Sequence, residues 1–228
     1  YRASARGKSN QPAVFLDSAG RAFATDAHSL PSARSQGEPM TGRFNLTSGA
    51  SFEHVVMGED AQVLLMASDA GYGFITDFKD LVSKNKNGKA LVSVPKGGVL
   101  LSPIRVNEVA TDYCMAISNE GRMLLFPLRD LPKLGKGKGN KIISIPGAKV
   151  QAREEFVKVL AVVPQGSSVT LHAGKRKLTL KPSDLEHYHG ERGRRGNKLP
   201  RGLQRVDEAV VELTLQQVDE PSSDAEPS

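Results

Sequence analysis

The residues best suited to chemistry in this chain are cations set among glycines. The segment "GERGRRGNKLPRG" (190–202) places five arginines or lysines among four glycines. Arginine offers a planar fork to phosphate oxygens, and lysine a compact charge on a flexible stem. Glycines between them let a backbone approach an anion closely and turn its N–H groups toward it. The chemistry on offer is capture of a polyanion through its phosphates. No base-reading helix accompanies these cations, so recognition is expected to be of backbone and shape. Arg/Gly-rich tracts also occur as disordered RNA-binding tails, and the flanking elements must decide between a tail and a held loop.

Charge supports a polyanion partner. The 228 residues carry 31 Lys and Arg against 25 Asp and Glu, a formal net charge of +6. Residues 1–168 hold 21 basic and 15 acidic groups, residues 169–205 hold 10 and 3, and residues 206–228 hold none and seven. A basic body before an acidic end points first to nucleic acid, with a merely solubilising surface as the bland alternative. From Gln216 onward the only large apolar residue is Val218. Residues 216–228 therefore read as a disordered acidic tail, one that would compete with DNA for the basic region.

Other signals exclude more than they assert. With 22 glycines, 13 prolines, 5% aromatic residues and no Trp, the chain suits a turn-rich all-β protein better than a helical bundle. Cys114 is the single cysteine, so no intramolecular disulfide forms, and in "YCMAI" it reads as a buried, inert thiol. No apolar run nears the roughly 18 residues that span a membrane. The expected compartment is the cytoplasm. The opening at Tyr1, in a basic polar stretch, reads as part of a longer protein. "HYHGE" (187–191) brings His187 and His189 near Glu186 and Glu191, but a zinc site needs a fuller ligand set, and a solvated loop is the expectation. "GYG" (71–73) and "GKGKG" (135–139) do not match a phosphate loop. His28 near Asp26 has no nucleophile motif. Phe15, Phe23, Phe74 and Phe126 are expected in the core.

An internal repeat positions the cations. "VFLDSAGRAFATDAHSL" (14–30), "LMASDAGYGFITDFKDL" (65–81), "MAISNEGRMLLFPLRDL" (115–131) and "TLHAGKRKLTLKPSDL" (170–185) align on Gly20, Gly71, Gly121 and Gly174. Each is an apolar strand, a turn ending in glycine and a second strand, the signature of a β-hairpin. A second motif follows each hairpin: "TGRFNL" (41–46), "NGKALVSVP" (87–95), "GNKIISIP" (139–146) and "PRGLQRV" (200–206). Tandem units of about 50 residues and about four short strands imply blades arranged radially. The expectation is an all-β, propeller-like fold of four recognisable four-stranded blades near 13–62, 63–112, 113–167 and 168–215. Residues 1–12 would be the remnant of an earlier blade.

In this register, 190–202 is the fourth copy of a recurring loop. Its counterparts carry Arg34 and Arg43, then Lys84, Lys86 and Lys89, then Lys133, Lys136, Lys138 and Lys141. The fourth carries Arg192, Arg194, Arg195, Lys198 and Arg201, and the fourth hairpin tip adds Lys175, Arg176 and Lys177. Equivalent loops of a radial fold share one rim, so these cations should form a DNA-binding arc. Replacing Arg192, Arg194, Arg195 and Arg201 with Glu is expected to weaken DNA binding without unfolding the domain.

The four units, "GKGKGNKIISIP", "GERGRRG…RGLQRV", "KSNQPAVFLDSAGR" and "LLMASDAGYGF" closely resemble the C-terminal domain of the A-subunit of bacterial DNA topoisomerase IV. The resemblance covers about residues 1–215. It implies a β-pinwheel whose blades exchange strands and whose rim carries bent duplex DNA, orienting the transported segment for supercoil relaxation and decatenation of daughter chromosomes. The implied partners are the N-terminal body of the A-subunit, the B-subunit in the heterotetramer and a chromosome-organising condensin such as MukB. It implies no catalytic residue and no cofactor here: the cleaving tyrosine and its arginine partner belong to the N-terminal part, and ATP and Mg2+ to other domains. Tyr1, Tyr72, Tyr113 and Tyr188 lie outside the catalytic motif. The implied location is cytoplasmic, at the nucleoid, with peripheral membrane association left open. The sister gyrase domain carries a Q-R-R-G-G-K-G box that this chain lacks. A gyrase-type wrapping domain and a propeller-type protein-interaction module remain the alternatives.

Overall fold

In the computed structural model, residues 3–32 and 34–213 are described. The expected acidic tail at 216–228 lies outside them. The secondary structure is almost entirely β, with short helical turns after the hairpins and one five-residue helix at Gly147–Gln151. The hairpins are β1 (Pro12–Asp17) with β2 (Arg21–Asp26), and, after β3 (Phe52–Met57), β4 (Val63–Ser68) with β5 (Tyr72–Asp77). The two-residue β6 (Lys89–Ala90) and β7 (Ile104–Val106) lead to β8 (Tyr113–Ser118) and β9 (Arg122–Pro127). The two-residue β10 (Asn140–Lys141) and β11 (Val157–Val163) precede the last hairpin, β12 (Ser167–Ala173) with β13 (Arg176–Leu180). The two-residue β14 (Asn197–Lys198) and β15 (Glu208–Leu213) complete the described strands.

Turn chemistry explains the hairpins. Gly20, Gly71 and Gly121 donate back to the carbonyls of Asp17, Ser68 and Ser118, and all three have positive φ. The polar residue that starts the turn adds a second clasp. Asp17 Oδ1 accepts from the Ala19 and Arg21 N–H groups, and Ser118 Oγ accepts from the Arg122 N–H.

The sheets do not coincide with contiguous stretches of chain. Their strand orders are β3-β1-β2-β6, β7-β4-β5-β10 and β11-β8-β9-β14, followed by the three-stranded β15-β12-β13. Each of the first three sheets therefore takes its last strand from the loop of the following unit. The fourth receives none among the described residues. The β7, β11 and β15 edges lie against one another between sheets, which makes them the inner edges and leaves β6, β10 and β14 at the outer ones. The blades are those of a β-pinwheel. The N-terminal stretch expected to be a blade remnant adds no strand: residues 3–11 are irregular, and Ala27 N–H donates to Gln11 O beside the first hairpin.

Alternation along each strand divides the core between neighbouring blades. Leu64, Met66 and Phe74 pack against Val14, Leu16 and Ala22 of the first sheet. On the opposite face of the same hairpin, Leu65, Ala67 and Ile75 pack against Cys114, Ala116, Leu124 and Phe126. Met115, Ile117 and Leu125 then meet Val169, Leu171 and Leu180. Both faces of the second and third hairpins are covered, which is why "VLLMAS" and "YCMAIS" read as continuous apolar runs. The first sheet covers its outward face with Phe15, Phe23, Phe44 and Phe52, whose ring centroids lie 5.3–6.4 Å apart. Of the four expected core phenylalanines, Phe23, Phe74 and Phe126 are fully buried, whereas Phe15 is only half-buried at this outward cluster. Cys114 is fully buried, and burial pushes its thiol far up.

Candidate nucleic-acid interface

The recurring basic loops are the segments that carry the exchanged strands. Strand exchange shifts their cations back by one blade from the sequence register. Lys84, Lys86 and Lys89 lie beside β2, Lys136, Lys138 and Lys141 beside β5, and the Arg192–Arg201 group beside β9. Lys175, Arg176 and Lys177 stand at the edge of the fourth sheet, which receives no incoming strand among the described residues, and all three are exposed.

Each exchanged strand is clamped in a recurring way. Gly88, Gly139 and Gly196 have positive φ and precede β6, β10 and β14, respectively. A Cβ on Gly196 would stand 2.5 Å from Met123 O, so the missing side chain lets two backbones meet. These glycines serve the fold rather than a phosphate. The residue after each turn glycine completes the clamp. Arg21 donates to Asn87 O and Gly88 O at 2.9 and 3.0 Å, and Arg122 to Gly196 O at 3.2 Å. In the second hairpin Tyr72 stands at this position, with Lys138 Nζ 4.4 Å from its ring centroid.

The loops are also stitched to one another. Asn45 N–H donates to Lys86 O, and its side chain to Asn87 Oδ1. Gly137 N–H donates to Leu91 O, and Ser93 N–H to Gly137 O. Gly193 N–H donates to Ile142 O, and Ser144 N–H to Arg194 O. Four consecutive loops thus form one hydrogen-bonded outer belt. "GERGRRG" is a held loop, not a tail.

The cations on this belt fall into two groups. Lys84, Lys86, Lys136, Lys138, Lys141, Lys198 and Arg201 are exposed. Arg194 is paired with Glu191 at 2.9 Å, but both side chains are 73% exposed, so water screens the pair and the guanidinium stays accessible. The second group is structural. Lys89 donates to Asp80 O at 2.5 Å, whereas Lys133, paired with Asp77 at 3.0 Å, keeps a 62% exposed side chain and stays accessible. Arg192 Nη1 donates to Lys141 O at 2.8 Å. Arg195 donates to Ser144 O at 2.7 Å and lies 2.8 Å from Oε1 of Glu155, whose side chain is wholly buried. Replacing Arg195 with Glu would set a second carboxylate against the buried Glu155, so the fourfold replacement is expected to cost stability as well as DNA affinity. In the first loop Arg43 is held by Glu38 and Ser29, which leaves that segment with little free charge.

Two features escaped the sequence. Arg153 has φ of +58° and holds Asp69 at 2.7 Å, joining the second hairpin tip to the segment before β11. The hydrogen bond to Asp69 raises the pKa of its guanidinium. Its partner lies 84 positions away, and nothing local signals it. Lys96 lines a cavity with Lys138 and Lys141, but it follows the exchanged strand and so falls outside the repeated loop motif.

This geometry has known counterparts. A family model described as "DNA gyrase C-terminal domain, beta-propeller" matches residues 62–107 and 112–163. The DNA topoisomerase 4 A-subunit of Pseudomonas aeruginosa PAO1 is 56% identical over 216 residues, 95% of this chain and 29% of that protein. The protein of the same name from Escherichia coli K12 is 52% identical over 212 residues, 93% of this chain and 28% of that protein. The chain thus spans under a third of the length of these relatives. The solved E. coli ParC C-terminal domain matches with a TM-score of 0.85 at 51% identity, covering 91% of this chain and 84% of that one. The DNA gyrase A C-terminal domain matches with a TM-score of 0.63 at 12% identity, covering 91% and 68%, a likeness of fold alone.

Proposed function

The chain belongs to the family of C-terminal domains of the topoisomerase IV A-subunit, and from that premise we propose that its outer belt binds and bends duplex DNA. The observation that supports this most is the belt itself, with exposed cations on consecutive stitched loops. A surface already fixed before DNA arrives loses little side-chain and loop entropy on binding. Its cations face outward along a curve, so a duplex that follows them bends and gains contacts as it does so. Contact is to phosphates, and sequence discrimination is weak.

In the larger protein, this surface orients the transported DNA segment of a type IIA topoisomerase during supercoil relaxation and decatenation. The 51% identity to the ParC C-terminal domain, against 12% to that of gyrase A, favours this role over wrapping for negative supercoiling. Cleavage, ATP and Mg2+ belong to other parts of that assembly, with the N-terminal body and the B-subunit as its protein partners. A chromosome-organising condensin such as MukB is a further proposed partner, and the nucleoid the proposed place of work.

A gel-shift titration against salt tests the binding. With six to ten phosphates engaged, affinity for a duplex should fall about 10³–10⁵-fold between about 50 and 200 mM salt, similarly for unrelated sequences. Binding that ignores salt, or that requires one sequence, overturns the proposal.

A further inference from the structure

Consecutive blades carry equivalent grooves beside their hairpin tips, and the two at the second and third tips differ in charge. The groove at the second tip has a volume of about 310 Å3 and is lined by Tyr72, Lys96, Lys138, Lys141, Ser144 and Gln151, among others. Three lysines enter it and no carboxylate does. The groove at the third tip, about 700 Å3, is lined by Lys158, Lys198 and Arg205 but also by Glu120, Glu154 and Asp207. Its formal charges cancel, whereas those of the first do not.

The lysine groove is continuous with the belt. Lys141 is the last residue of β10, and its carbonyl accepts from Arg192 in the next loop. Lys138 is positioned by the Tyr72 ring. Lys96 is exposed and immediately precedes Gly97, whose φ is +79° and whose carbonyl accepts from Arg153. The Arg153–Asp69 pair thereby fixes the backbone beside Lys96 to the same hairpin tip. Three like charges gathered without a counter-charge repel one another, and an entering anion relieves that repulsion.

We propose that this groove seats a phosphodiester of the bound duplex, with Lys96 as a DNA contact outside the recurring loops, and that the neutral groove at the third tip seats none. This deepens the DNA-binding reading and rests on it. The DNA would leave the outer edge at the second blade and cross toward the hairpin tips there.

The test compares Lys96→Ala with Lys158→Ala in the full chain, since each removes one exposed charge. Duplex binding is followed by fluorescence anisotropy from about 50 to 200 mM salt, with matched melting temperatures as the check on folding. Lys96→Ala should lower affinity several-fold at low salt and reduce the slope of log K against log salt by about 0.9, the loss of one phosphate contact. Lys158→Ala should leave that slope unchanged. Bound duplex should also protect Lys96, and not Lys158, from amine acetylation. A steep slope in the parent chain that both variants share overturns the groove assignment alone. A parent chain without salt-dependent binding overturns the DNA reading and this inference together.

Discussion

The third and fourth sheets are built from the same hairpin pattern, yet among the described residues only the third of the two receives a strand from another unit. The carbonyl of its turn glycine, Gly121, accepts from Leu199 N–H at 2.8 Å, and the chain after β14 lies directly on it. A Cβ there would stand 2.5 Å from Gln204 Cα. In the fourth sheet, no atom of the described residues comes within 4 Å of a Cβ on Gly174, whose N–H donates instead to Asp207 Oδ2. The outward face of that sheet is polar, with Thr170 and Thr179 hydroxyls 3.0 Å apart. One glycine signature thus performs two tasks. Everywhere it supplies positive φ, and in the first three blades it also clears the path of an incoming strand.

Alanine at the two positions separates the tasks. At Gly174 it meets only the positive-φ penalty, about 1–2 kcal/mol. At Gly121 it adds overpacking against backbone, about 1–3 kcal/mol more. Denaturant titration should therefore show Gly121→Ala the more destabilised by a clear margin. Equal losses would mean that the incoming chain is not held against the third hairpin.

The next largest contrast lies within the belt loop that joins these two blades. Arg195→Glu should cost about 3 kcal/mol, because it strands the buried Glu155 with only Lys149 Nζ, 3.9 Å away, as a counter-charge. Arg194→Glu, one position earlier, should leave the melting temperature nearly unchanged while weakening DNA binding, since its side chain stands in water. If the two variants lose stability equally, Arg195 is not the clasp that its contacts with Ser144 and Glu155 make it.

Much of this architecture was legible because hairpins announce themselves locally. The Asp17–Gly20 and Ser118–Gly121 turns carry their hydrogen-bond chemistry within four residues, and the 50-residue register aligned the basic loops. The sheet that each loop joins was not legible from its residues. A two-residue strand such as Asn197–Lys198 shows no period, and the likeness to a pinwheel supplied the expectation of exchange. Nor could composition sort the cations. Arg194 and Arg195 are adjacent and identical, and only the fold brings Glu155, 40 positions earlier, under one of them. The third-tip groove likewise gathers Glu120, Glu154 and Asp207 from separate segments.

The smallest expected effect concerns the joint through which the fourth unit enters the third sheet. His189 bridges to Leu125, and the following Gly190 N–H donates to Leu125 O at 2.9 Å. The equivalent joint one blade earlier pairs Ile75 with Lys133, so this joint alone of the two carries a histidine. His189 is largely exposed, but partial desolvation, with the Tyr113 ring 4.7 Å away, lowers its pKa, and the nearby Glu186 carboxylate opposes that shift in part. A lowered folded-state pKa means that the unfolded chain takes up the proton first. The resulting stability is complete above the unfolded value of about 6.5 and is lost as pH falls through the lower folded value. Urea titrations at pH of about 7.5, 6.5 and 5.5 should show the parent chain losing slightly more stability than His189→Gln over that window. Parallel losses would mean that the histidine is as well hydrated in the joint as in the unfolded chain, and that the two joints differ in sequence only.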